Sequence, residues 1–144
     1  MVTMAQTIER NKTVLVVDDE PDIRMILQAR LEAAGYRVET AGNGLEALNR
    51  IRSQPPDLVI LDLMLPGIDG FAVCAMLKRD QRFSHIPIVI LSARSQAQDK
   101  KTGVSLGADA YLTKPFQPQE LLTTIENLIE PKTPAHSEPG AEKQ

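Results

Sequence analysis

Apolar residues along this chain fall in two alternating rhythms, short solid runs and longer stretches spaced at helical intervals. Thr13–Val17 (TVLVV) is a solid run of strand length, β-branched enough to predict a strand buried on both faces. Pro21 and Asp22 then open a stretch in which Ile23, Ile26, Leu27, Leu31 and Ala34 recur at helical spacing, and Gly35 ends it. The same pair of patterns returns along the rest of the chain. Arg37–Thr40 predicts a weaker strand; past Gly42-Asn43-Gly44, read as turn chemistry, a helix runs from Leu45 to Arg52 until Pro55-Pro56 stops it. Asp57–Leu61 (DLVIL) predicts the third strand. Pro66 and Gly67 mark a loop, and the helix that follows over 70–78 is expected to bury Phe71, Cys74 and Leu77. Ile86–Leu91 (IPIVIL) predicts the fourth strand, with Pro87 near its start, where a missing N–H is tolerated. Ser95–Leu106 predicts a helix with few apolar residues, mainly Ala97, Val104 and Leu106, and so the least firmly packed one. Gly107 caps it, Asp109–Leu112 predicts a fifth strand, and Gln117–Ile129 a last helix with Leu121, Leu122, Ile125, Leu128 and Ile129 on one side.

Five βα units in series imply a parallel sheet with helices on both faces, because right-handed crossovers place them there. The expected fold class is α/β, doubly wound, in one domain over 12–130. Residues 1–11 read as a flexible N-terminal extension. The segment from Pro131 (PKTPAHSEPGAEKQ) has no apolar residue larger than alanine, cannot repay its ordering entropy, and reads as a disordered polar tail over 131–144.

Composition narrows the function classes. With 16 Lys plus Arg against 19 Asp plus Glu, the net charge of −3 lacks the basic excess of a nucleic-acid binder. The one cysteine, Cys74, cannot form an internal disulfide, and reads as a small buried hydrophobe. No apolar run approaches the ~18 residues of a membrane span, and residues 1–12 lack a signal-peptide pattern. The expectation is a cytoplasmic protein that touches neither membrane nor nucleic acid directly. His85 and His136 lack metal-ligand company.

In doubly wound sheets the site lies outside the carboxyl ends of the strands. Strand 1 ends in Asp18-Asp19, strand 3 in Asp62, strand 4 in Ser92 and strand 5 in Lys114-Pro115. Taken singly, each is most often a cap or a solvated loop charge. Brought to one rim, three carboxylates repel unless something positive sits among them. A hard divalent cation such as Mg²⁺ suits such oxygens, Lys114 offers a point charge, and Ser92 a hydroxyl for a phosphoryl oxygen. A carboxylate beside Mg²⁺ and an ammonium is arranged to attack phosphorus, with metal and lysine neutralising the transferring group.

The stretches VLVVDDEPDIR, LVILDLMLPGIDGF, IPIVILSAR and GADAYLTKPF, in this order and at these separations, resemble the receiver domain of bacterial two-component response regulators, over about Lys12 to Ile129. That resemblance implies a flavodoxin-like five-stranded parallel sheet in the order 2-1-3-4-5. It implies that Asp62 is the phosphoacceptor, and that Asp18 and Asp19 are the acidic pair. Asp19 is then the more direct Mg²⁺ ligand, Asp18 acts largely through water, and the backbone carbonyl of Met64 is the third protein ligand. Ser92 becomes the hydroxyl that follows the phosphoryl group, Lys114 the lysine that meets it, with Lys114-Pro115 cis, and Tyr111 the rotating aromatic switch. The partners implied are a sensor histidine kinase or histidine phosphotransfer protein and an output protein of unstated identity. The chemistry implied is self-directed phosphotransfer and slow autodephosphorylation, with no other turnover. Met64 and Arg94, each two residues beyond a site residue, flank the water approach and supply no base.

Two other classes use related parts. A phosphohydrolase of the haloacid-dehalogenase type needs a second Asp two residues past its nucleophile, where this chain has Met64. A flavodoxin-like flavin carrier needs a phosphate loop after strand 1 and aromatic walls; here two carboxylates follow strand 1, there is no Trp, and 3% of residues are aromatic. The DLMLPGIDG loop resembles receivers of winged-helix transcription factors, so the alternative is the N-terminal receiver fragment of such a regulator. That group dimerises through charges that this chain keeps at Lys100 and Glu120. It departs at Ala110, Thr124 and Lys101, which leaves a monomer or weak dimer as the expectation.

Overall fold

The computed structural model describes residues 11–129. The expected polar tail and, but for Asn11, the expected N-terminal extension lie outside the described residues. Five strands, β1 (Thr13–Val17), β2 (Arg37–Ala41), β3 (Leu58–Leu61), β4 (Ile88–Ser92) and β5 (Ala110–Thr113), alternate with five helices. These are α1 (Pro21–Ala33), α2 (Gly44–Ser53), α3 (Gly70–Arg79), α4 (Ala97–Ser105) and α5 (Pro118–Ile129). All pairings are parallel and the strand order is β2-β1-β3-β4-β5, as the alternating pattern and the resemblance implied.

Strand alternation divides the core in two. Leu15, Val17, Val59, Leu61, Ile88 and Ile90 face a layer built on α2 and α3, with Ala47, Leu48, Ile51, Val73, Cys74 and Leu77. Val14, Val16, Leu58, Ile60, Val89 and Leu91 face Leu27 and Leu31 of α1 and Leu121 and Ile125 of α5. Cys74 is wholly buried, and burial pushes its thiol up to about 11, so it remains a neutral packing group.

Helix ends follow local chemistry. Asn43 caps α2 by accepting from the Glu46 amide, and Asp69 caps α3 by accepting from the Ala72 amide. Gly35 and Gly107 follow α1 and α4 with φ near +99° and +102°, where a side chain would be strained. Two aspartates outside the rim fasten strand starts: Asp57 Oδ2 accepts from the Thr13 amide, and Asp109 Oδ2 accepts from the Ile88 amide while pairing with Lys78.

Several expected packing residues are placed differently. Phe71 is only half-buried, Ile26 is exposed, and α4 begins at Ala97 and ends at Ser105. Ala97 and Val104 both face solvent; the buried residue of α4 is Gly103, which lets the helix backbone come down onto Ile90 and Tyr111. Weak packing of α4 was anticipated; of the three apolar residues expected to provide it, Leu106, just past the helix end, packs against the core. A Cβ on Gly103 would lie 3.0 Å from Ile90 Cδ1 and 3.2 Å from Tyr111 Cδ2. Overpacking costs about 1–3 kcal/mol, whereas alanine regains up to ~1 kcal/mol of helix propensity. Gly103→Ala is therefore expected to lose about 1 kcal/mol in a urea titration, with a changed Tyr111 environment; wild-type stability together with an unchanged tyrosine would show the seat to be loose.

Candidate functional site

The sheet ladder itself carries the rim residues. The Asp18 amide donates to the Ala41 carbonyl, the Asp62 amide to Val17, and the Lys114 amide to Ser92, each continuing a strand pairing by one step. Extending the alternation past each strand end puts Asp18, Asp62 and Lys114 in step with the α1/α5 side. Ser92 and Tyr111 fall in step with the other side.

The side chains bear this out. Lys114 Nζ lies 2.8 Å from Asp18 Oδ2 and 3.1 Å from Asp62 Oδ2, bridging two carboxylates that are 2% and 4% exposed. The other oxygen of each carboxylate accepts a backbone amide two residues on: Glu20 N–H to Asp18 Oδ1 at 2.9 Å, and Met64 N–H to Asp62 Oδ1 at 3.1 Å. These are local turns of the kind aspartate favours, and they fix both rotamers. Asp19 joins them from the solvent side; ligand oxygens of Asp18, Asp19 and Asp62 all lie within 4.8 Å of one another. The Asp19 side chain has no hydrogen bond or ion pair among the described residues. Close packing holds the centre rigid, because a side chain on Gly70 would overlap the Asp62 carbonyl and the Leu63 backbone.

Charge is unbalanced here. Burial pushes the Asp18 carboxyl above its ordinary value, outweighing the Lys114 and Glu20 hydrogen bonds that favour ionisation. Burial works against the Lys114 ammonium too, but its hydrogen bonds to Asp18 and Asp62 win, and its pKa is raised. Three carboxylates stand against one ammonium, and all the side-chain donors facing the cluster are hard oxygens. That set fits a hard divalent cation, which takes few carboxylates and keeps waters.

Ser92 is wholly buried, and its Oγ accepts from the Arg94 amide at 3.3 Å, with no hydrogen bond to Asp62. The Tyr111 hydroxyl donates to the Arg94 carbonyl at 2.6 Å; burial first, then the nearby Asp99 charge, raises its pKa. Met64 is exposed beside the centre, whereas the Arg94 guanidinium is engaged away from it, on Asp99 at 2.6 Å and over the Phe71 ring at 5.5 Å. The Lys114-Pro115 bond is cis, as the resemblance implied. His85 is exposed in a loop before β4.

Sequence reasoning missed two participants. Glu20 comes within 3.8 Å of Lys114 as a further, exposed carboxylate. Arg24 donates from Nη1 to the Asp18 carbonyl at 2.6 Å and packs beside Gly42, clamping the β1–α1 turn from behind. A cation near a helix N-terminus opposes the helix dipole, and that disfavoured placement was the available signal that Arg24 has a tertiary partner.

The response regulator receiver domain family matches residues 14–126. The DNA-binding dual master transcriptional regulator RpaA of Synechocystis sp. is 43% identical over 130 residues, covering 87% of this chain and 54% of the relative. The alkaline phosphatase synthesis transcriptional regulatory protein PhoP of Bacillus subtilis is 44% identical over 119 residues, covering 83% of this chain and 49% of its own length. The chain thus spans about half the length of the curated relatives it matches. Among solved structures, the chemotaxis protein CheY4 of Vibrio cholerae superposes with a TM-score of 0.78 at 34% identity, covering 83% of this chain and 99% of that one. Among the described residues, no helix is long and apolar enough to cross a membrane.

Proposed function

Because this chain belongs to the response regulator receiver domain family, we propose that its role in two-component signalling is to take a phosphoryl group on Asp62 from a partner histidine kinase or histidine phosphotransfer protein. A carboxylate oxygen of Asp62 attacks phosphorus as the bond from phosphorus to the donor's imidazole nitrogen breaks. The observation that carries this reading is the shared ammonium. Lys114 holds Asp18 and Asp62 side by side, so the same cation that pairs with the acceptor stands where the arriving phosphoryl oxygens need neutralising. Mg²⁺ bound by Asp19, Asp62 and the Met64 carbonyl, with Asp18 acting largely through water, would supply the remaining positive charge. Ser92 then turns its hydroxyl to a phosphoryl oxygen and Tyr111 turns inward behind it. Neither Met64 nor the occupied Arg94 offers a base to orient water, which supports slow autodephosphorylation.

An apolar groove lined by Ile23, Ile26, Phe116 and Pro118 runs between α1 and the β5–α5 loop and ends at Lys114. We assign the donor protein to it. The output partner reads the α4 side, in a cytoplasmic monomer or weak dimer, with the receiver unit over 12–130. A second reading is favoured by the length and identity of RpaA and PhoP: the receiver portion of a transcriptional regulator. Both readings share the same acceptor chemistry. Incubation with acetyl phosphate and Mg²⁺ is expected to add one phosphoryl group by intact mass, removable with hydroxylamine and absent in EDTA; no incorporation, or incorporation without metal, would overturn the acceptor reading.

A further inference from the structure

Arg94 is the one residue on which the switch elements converge. Its amide donates to Ser92 Oγ on β4, and its carbonyl accepts from the Tyr111 hydroxyl on β5. Its guanidinium donates to Asp99 in the first turn of α4 and covers Phe71 at the start of α3. The Asp99 side chain is 13% exposed and has no other hydrogen-bond or ion-pair partner among the described residues. α4 buries only Gly103, so its N-terminal end is held chiefly by this polar contact. Any movement of Ser92 toward Asp62 withdraws the acceptor from the Arg94 amide, and the strain passes to a loop whose remaining anchors are the Tyr111 hydroxyl and the Arg94–Asp99 pair.

We propose that the Arg94–Asp99 ion pair, braced by Phe71, is a latch that sets the resting position of the β4–α4 loop and of Tyr111, with Arg94 a positioning residue for the switch. The inference rests on the assignment of Asp62 as acceptor and of Ser92 and Tyr111 as its responders. A partly exposed pair makes a small contribution, so opening the latch shifts the two-state population by roughly two- to fivefold and does not drive it to completion. By the same linkage, a protein with the latch open binds a phosphoryl mimic more tightly by the same factor.

The test uses the full chain labelled with fluorotyrosine, which reports two tyrosines by ¹⁹F resonance; Tyr111→Phe identifies the mobile one and Tyr36 is the fixed reference. In the wild type, Mg²⁺ with beryllium fluoride defines the shifted position of the Tyr111 signal. Without the mimic, Asp99→Asn and Arg94→Ala are both expected to move Tyr111 part of the way along that same line. They remove charges of opposite sign, so a direct field effect would send the two signals in opposite directions. Asp99→Glu should restore the resting position. A wild type that responds to the mimic while Asp99→Asn stays at rest, or opposite displacements in the two variants, would overturn the latch alone. A wild type whose Tyr111 ignores the mimic would overturn the switch assignment, and the latch with it.

Discussion

Replacing Asp62 with alanine is expected to abolish phosphoryl incorporation completely and, in the same metal-free protein, to raise the melting temperature. The two effects share one cause. Asp18 and Asp62 are both buried and divide a single ammonium between them. The Asp62 charge is one of the influences that raises the Asp18 pKa, after burial itself. Removing Asp62 leaves Lys114 and Asp18 as a balanced pair at 2.8 Å. The losses are the Met64 amide's acceptor and the Lys114 hydrogen bond to Asp62, each worth about 1 kcal/mol. Against them stand the desolvation of one buried carboxylate and the repulsion between two, together several kcal/mol. A net gain of about 1–2 kcal/mol follows. Calorimetry in EDTA, and then with Mg²⁺, measures it: the wild type should rise with metal far more than the variant. A variant that still labels would move the acceptor elsewhere, and one that melts lower in EDTA would refute the charge imbalance.

Lys114→Met is expected to act in the opposite sense. Removing one partner of a buried pair costs about 3–5 kcal/mol when the other stays charged. Here the Lys114 side chain is 15% exposed and the Asp18 carboxylate can take up a proton, so about 2 kcal/mol at neutral pH is the expected loss. Its pH dependence has a definite sign. The Lys114 pKa is raised in the fold, so its contribution is fully present below the ordinary lysine value and disappears as pH rises through the raised one. At the acid end, the Asp18 pKa is raised as well, and a carboxyl of that kind favours the fold most when protonated. The deficit of Lys114→Met should therefore be largest around neutrality and shrink on acidification toward the aspartate range. Urea titrations at pH 5 and 7.5 in EDTA give the comparison, and Mg²⁺ should recover part of the loss at pH 7.5. A deficit that is the same at both pH values would show that Lys114 stabilises by packing its stem and not by its charge.

How much of this was legible in the sequence depends on which rule carries a residue. Strands are short and regular, so TVLVV and LVIL declare themselves and Asp18 and Asp62 follow one step beyond them, as Lys114 does beyond β5. The alternation that sends Val16, Ile60 and Leu112 to one face also sends those three there. Ser92 was legible as the end of the fourth strand, whereas Tyr111 came only from the family resemblance. Contacts made by long side chains across loops have no such period. Arg24 on the Asp18 carbonyl, and Arg94 spanning Asp99 and Phe71, depend on where two separate turns come to lie, which no local pattern encodes. α4 was misread at the level of residues for a related reason. In a helix with so few apolar positions, backbone proximity at Gly103 replaced side-chain burial, and Val104 was left 65% exposed. Phe71 fell short of full burial because it forms a platform for a guanidinium.

The division of the rim by strand alternation has a further consequence for how a signal is handed over. Charged groups and the apolar groove belong to the α1/α5 side, while the hydroxyl and phenol belong to the side where α4 rests. With the donor in the groove and the output partner on α4, as proposed above, the two footprints are separate and the sheet is a partition between them. Their affinities are then linked by the energy that passes through the strand ends, not by rivalry for one surface. In such an arrangement a bound recipient that prefers the switched form would make the chain a better acceptor, since coupling between two sites acts equally in both directions.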